Sequence, residues 1–78
     1  MSEENYGHLE IKLKELIHKK NLNRYKLSLK AAMNWNQVNR YCNNDITRLD
    51  TMVLCKFCTV LECEIQDLLV FRPSHEKQ

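Results

Sequence analysis

The sequence predicts an all-α fold, a compact five-helix domain closed by a small two-stranded pairing of its terminal segments. Three observations lead there. The chain holds one Gly and one Pro among 78 residues, beside many Leu, Lys, Glu and Asn, the composition of helices joined by short connections. Its apolar residues recur at three- and four-residue intervals over most of its length. Near each end that spacing gives way to a short extended pattern: Leu9, Ile11 and Leu13 alternate with polar residues, and Leu69, Val70 and Phe71 precede Pro73. A chain this short buries only about 60% of its unfolded surface, so residues 1–78 are expected to form one domain. Order is expected over about residues 9–72, with 74–78 as a flexible tail.

Leu9–Leu13 reads as an extended piece, with Leu69–Arg72 as its partner. A lone two-stranded ribbon is marginal in water, so the pair must pack on the helices or pair across a dimer. Leu13, Leu16 and Ile17 then mark an amphipathic helix running to about Lys20. Asn23 can cap the free N–H groups of a second helix, whose apolar positions are Tyr25, Leu27, Leu29 and Ala32, with Leu27 and Ala31 as an i, i+4 pair. A break at Ala32–Met33 leads to Asn34, another cap, and a third helix from Trp35 to Cys42. Asn43, Asn44 and Asp45 make a polar turn. Asp50 caps a fourth helix whose apolar stripe reads as Met52, Leu54, Cys55, Cys58 and Leu61. Cys63 and Glu64 bridge to a short fifth helix around Gln66–Leu69.

Several function classes fall away. The start is polar and acidic (Ser2, Glu3, Glu4), and no apolar run is long enough for a signal peptide or a membrane span. A soluble, cytoplasmic protein is expected. Cys55 and Cys58 have C-x-x-C spacing, but no second pair and no nearby His accompany them, so neither zinc nor disulfides are expected. Cys42, Cys55, Cys58 and Cys63 read instead as small buried hydrophobes. His8, His18 and His75 are scattered and read as surface residues. No Ser-His-Asp set, carboxylate pair or Gly-rich phosphate loop assembles. The chain is expected to be a binding module with no metal or cofactor, not an enzyme.

The charge distribution says which ligand. Residues 1–22 balance four Lys against four Glu; residues 49–78 carry three cations against five anions; residues 23–48 set Arg24, Lys26, Lys30, Arg40 and Arg48 against Asp45 alone, a local net charge of +4. A phosphate-binding footprint requires such concentration, although an ordinary solvated basic face can also look like this. The same stretch contains Asn34, Trp35, Asn36, Gln37, Asn39 and Arg40, almost all hydrogen-bonding or stacking groups, interrupted by Val38. A helix that only packs has no use for that set. One that reads the edges of DNA bases does.

Residues 23–44 resemble the helix-turn-helix of the lambda-repressor-like (Cro/cI-type, Xre) family of transcriptional regulators. The family's Leu-Ala pair corresponds to Leu27 and Ser28, its turn Gly to Ala32, the following aliphatic residue to Met33, the cap to Asn34 and the inner aliphatic residue to Val38. Ser28 is small and can bond its own helix backbone. Ala32 replaces a Gly that often supplies a left-handed turn, a conformation costing a non-Gly residue on the order of 1 kcal/mol. The likeness covers about residues 11–71, including the stretch from Arg48 through Cys58 and Cys63 to Leu69.

The resemblance implies a sequence-specific double-stranded DNA-binding regulator, a repressor, whose third helix enters the major groove. Base contacts then fall to Asn34, Trp35, Asn36 and Arg40, with Gln37 a weaker candidate; Asn matches adenine and Arg matches guanine. Trp35 suits either a DNA contact or a core anchor, whereas Val38 and Tyr41 read as inward. Phosphate contacts fall to Asn23 and Arg24 at the start of the second helix, and to Asn43, Asn44, Thr47 and Arg48 after the third. So few contacts bind weakly from one copy, so a homodimer is expected, joined through the terminal extended segments or the last helices. The alternative is a protein-interaction module, antitoxin-like or anti-repressor, that uses the same fold without reading DNA.

Overall fold

The computed structural model describes residues 6–74. It runs β1 (His8–Ile11), α1 (Leu13–Lys19), α2 (Arg24–Lys30), α3 (Trp35–Cys42), α4 (Thr51–Leu61), α5 (Ile65–Leu68) and β2 (Leu69–Arg72). Five helices and an antiparallel ribbon at the chain ends match the expected class, and α3 has the expected bounds. Leu13 belongs to α1 rather than to the strand, because Lys12 turns the chain and its N–H donates to the Leu68 carbonyl at 2.7 Å. No described helix is long and apolar enough to cross a membrane. His75 and most of the expected tail lie outside the described residues.

The core gathers one stripe from each helix. Leu13, Leu16 and Ile17 of α1, Leu27 of α2, Val38, Tyr41 and Cys42 of α3, Val53, Phe57 and Leu61 of α4, and Leu68 of α5 form one cluster. Full burial of a Val, Leu or Phe side chain contributes about 1.5–3 kcal/mol, and Leu27, Val38 and Phe57 are each 0% exposed. Tyr41 stacks edge-on against Phe57 with ring centroids 5.4 Å apart. Ser28, the buried polar residue of the core, satisfies its hydroxyl by donating to the Tyr25 carbonyl at 2.6 Å.

Three sequence expectations fail here, for the stripe of α4, for that of α2 and for the cysteines. The buried face of α4 is Val53–Phe57–Leu61, at i, i+4 and i+8, while Met52 is 63% exposed and Cys55 is also exposed. Both faces of this helix are apolar, so periodicity alone could not choose between them. On α2, likewise, Leu27 and Ala31 are buried but Tyr25 and Leu29 face solvent. Of the cysteines, only Cys42 is fully buried; Cys58 and Cys63 are half-buried, and all four thiols are free. Burial, reinforced by the neighbouring Cys58, pushes the Cys63 thiol up to about 11, and burial raises Cys42 as well.

α1 to α4 all end the same way. A residue with left-handed backbone follows or closes each: Asn21, Ala32, Asn44 and Glu62, at φ of 58°, 53°, 59° and 52°. The next residue's N–H then bonds back five residues: Leu22 to Ile17, Met33 to Ser28, Asp45 to Arg40 and Cys63 to Cys58, at 2.9–3.1 Å. This is the Schellman arrangement, which reverses the chain and satisfies carbonyls that a helix end otherwise leaves open. It is usually completed by an apolar residue packing back on the helix, and Leu22, Met33 and Cys63 do pack against the core.

The ribbon is pinned from both sides. Its register pairs His8 with Arg72, Leu9 with Phe71, Glu10 with Val70 and Ile11 with Leu69. Glu10 bonds the Arg72 guanidinium at 2.7 Å, and that hydrogen bond, helped by the guanidinium charge, holds its carboxyl below the usual carboxylate range. Gly7 enters the ribbon at φ +85°, where a Cβ would fall on the Arg72 carbonyl oxygen. On the other edge of β1, Asn44 acts as a one-residue third strand. Its Oδ1 accepts from Ile11 N at 2.6 Å and its Nδ2 donates to Ile11 O at 3.0 Å.

Asn44 therefore has two separable jobs. Asn44→Gly keeps the left-handed turn and loses the two amide bonds, and should cost about 1–2 kcal/mol. Asn44→Ala also strains the turn by about 1 kcal/mol, roughly half of it offset by the chain entropy that Gly loses on folding, and should cost about 0.5 kcal/mol more. Urea denaturation of both variants checks this; equal losses would mean the backbone conformation is irrelevant.

Candidate nucleic-acid interface

The third helix divides by face. Val38, Tyr41 and Cys42 are its buried residues, at i, i+3 and i+4. Helical spacing puts Asn36, Arg40 and Asn43 on the opposite side at i, i+4 and i+7, and all three are exposed. A polar stripe on a helix pressed firmly into a core is a rigid platform for directional hydrogen bonds. Arg40 lies in the last turn, where a cation complements the helix dipole, and its Nη2 donates to the Asp45 carbonyl at 3.4 Å.

The other candidates divide into reading groups and supports. Asn34 caps α3: its Oδ1 accepts from Asn36 N at 2.7 Å. A bidentate match to adenine needs that same oxygen, so the cap leaves Asn34 its Nδ2 as a free-standing donor. Asn23 caps α2 in the same way, accepting from Lys26 N at 2.8 Å. Trp35 is 47% exposed, on the flank of α3 rather than in the core. Arg24, at the first position of α2, donates through Nη1 to the side-chain oxygens of Asn39 and, at 3.3 Å, of Asn43. It thus fastens the start of α2 to the outer side of α3, with Nε and Nη2 taking no part in those two bonds. Asn44 differs most from expectation, since its whole carboxamide is engaged with Ile11.

Beyond α3, Thr47 and Arg48 sit on an exposed loop. They join Gln37, Arg40, Tyr41 and Ile46 around a concavity of about 300 Å³. Two guanidinium groups beside hydroxyl and amide groups suit an anion with several acceptor oxygens. Sequence reasoning had assigned Arg40 to bases and Arg48 to phosphates, and the fold brings the two to one hollow. It also missed Asn39 as a support. The Asn39–Asn43 spacing on one helix face was visible, but the guanidinium that bridges them comes from 15 residues away.

Two helices crossing at a tight left-handed turn, the second one polar on its outer face, define a helix-turn-helix DNA-binding domain. The chain belongs to the Cro/C1-type HTH DNA-binding domain family, whose profile matches residues 12–74. Among solved structures it is similar to that of "a putative DNA-binding protein from Bacteroides fragilis", with a TM-score of 0.72 and 17% identity, covering 81% of this chain and 100% of that one. At that identity the likeness speaks for the fold. No curated protein matches the chain.

The turn that positions α3 rests on a left-handed alanine, Ala32. Ala32→Gly should relieve about 1 kcal/mol of backbone strain against roughly half that in extra chain entropy lost on folding. The urea midpoint should therefore rise slightly with an unchanged slope, and a fall would show that the turn carries no strain.

Proposed function

We propose that this domain is a sequence-specific transcriptional repressor that binds double-stranded DNA as a homodimer, with α3 in the major groove. The observation that supports this most is the exposed Asn36–Arg40–Asn43 stripe on a helix whose opposite face is buried. Asn36 is the first choice for adenine, and Arg40 for guanine or, through the hollow it shares with Arg48, a phosphate. Trp35 flanks this stripe and suits a thymine methyl or a sugar. Asn34 contributes at most one donor. Arg24, Asn23, Asn43, Thr47 and Arg48 grip the backbone on either side, at the start of α2 and after α3. Asn44 acts from behind as a positioning residue.

The ribbon is the dimer surface in this reading. Leu9 and Phe71 form a cross-strand pair and remain 50% and 58% exposed, and β2 has one edge without a strand partner among the described residues. Unpaired edges with apolar side chains favour association. Half-sites about one helical turn apart, roughly 34 Å, follow from such a two-fold arrangement.

Fluorescence anisotropy with a duplex of about 25 base pairs tests the reading, because each neutralised phosphate adds about 0.9 to the log–log salt slope. Arg48→Ala should weaken binding on every sequence and lower the slope by about one unit. Asn36→Ala should leave the slope intact and lose about 1–3 kcal/mol of discrimination on a selected site. No binding at low salt would sink the DNA reading. A monomer at high concentration, still monomeric on a palindromic duplex in analytical ultracentrifugation, would sink the dimer.

A further inference from the structure

We propose that the groove between the C-terminal end of α2 and the outer face of α4 docks an acidic amphipathic helix of another protein. The groove encloses about 370 Å³ and is lined by Ala31, Ala32, Met52 and Cys55, with Lys30 and Lys56 among its walls. It does not stand alone. Tyr25 and Leu29 lie at i, i+4 on one face of α2, outside the groove lining, and Tyr25, Leu29 and Met52 are 61%, 62% and 63% exposed. Both helices thus present exposed apolar residues that the core does not use. Scattered exposed apolar residues are ordinary; Met52 and Cys55 gathered with Ala31, Ala32 and Val60 in one groove mark a binding surface.

Charge selects the occupant. The ionised side chains lining the groove are Lys30 and Lys56, and no Asp or Glu among the described residues lines it. Two such grooves facing one another across a two-fold axis would gather four lysines with no carboxylate in either lining to pair them, a repulsive arrangement. Nucleic acid would satisfy the lysines and leave Met52 and Leu29 without an apolar partner. A helix with apolar anchors at i, i+4 and i+7 and carboxylates beside them meets both requirements. None of these residues belongs to the Asn36–Arg40–Asn43 stripe, so the inference stands apart from the DNA reading.

An amide NMR titration tests it, using a synthetic helix-forming peptide of about 16 residues with Leu at that spacing and Glu on its flanks. The control peptide replaces every Glu with Lys. Saturable shifts at Leu29, Ala32, Met52 and Cys55 are expected with the acidic peptide, and binding about tenfold weaker or worse with the control. Lys56→Glu should weaken the acidic peptide by about tenfold, and Met52→Ser should weaken it too; the spectra themselves report that each variant is folded. The proposal is overturned by equal shifts with both peptides, by no saturable shift, by the same shifts on raising protein concentration alone, or by the same shifts on adding a DNA duplex.

Discussion

A helix end has open carbonyls and a direction that must be reversed, and in this chain one backbone conformation answers both needs four times. Asn21, Ala32, Asn44 and Glu62 each take the left-handed region after α1 to α4. Glycine normally holds such positions because it has no Cβ to clash. Here the chain's one glycine is at the ribbon entry. Asparagine tolerates the conformation well, alanine and glutamate less so. Those last two positions flank α3 and α5, so the packing must hold them, through Met33 and Cys63 seated on the core. The helix crossings depend on these turns before any surface residue matters.

How much of this was legible in the sequence depended on whether a signal was local. The bounds of α3, the caps Asn23, Asn34 and Asp50, and the inward Val38 all rest on spacing within a few residues, and the structure agrees. The left-handed Ala32 was half readable: the motif puts a Gly there, but an Ala in that place left open whether the turn is strained or shaped differently, and the structure shows the left-handed form. The α4 stripe was not. Both Val53–Phe57–Leu61 and Met52–Cys55 satisfy helical spacing, and only the neighbours of α4 decide which is buried. Long-range ties were equally out of reach: Asn44 meets Ile11 across 33 residues, and Arg24 meets Asn39 across 15.

The asparagines of the basic segment show why composition alone overstates a binding site. A carboxamide has one oxygen and one NH2 group, and each can be committed internally. Asn23 and Asn34 commit the oxygen to a cap, Asn39 and Asn43 accept from Arg24, and Asn44 commits both atoms. Asn36 carries its side chain into solvent on the first turn of α3, which is why it heads the reading groups. The cluster is therefore a frame with a few exposed contacts, and the frame makes those contacts stiff. Stiffness has value in recognition, since a side chain already held in place loses less entropy on binding.

The Asn44 bridge also ties together two surfaces that otherwise meet through the core, where Ile11 of β1 packs in the same cluster as Val38, Tyr41 and Cys42 of α3. It closes α3 through its backbone and grips β1 through its side chain, while β1 is zipped to β2 and the Glu10–Arg72 pair locks their register. In the proposed dimer the ribbon sets the two-fold axis and α3 meets the major groove. A short, doubly bonded connection between them fixes the angle and distance of α3 from that axis. Half-site spacing would then be a property of the folded protomer and not of a flexible linker. A dimer built this way tolerates little change in spacing between half-sites, because shifting one α3 means bending the strand that the other copy also uses.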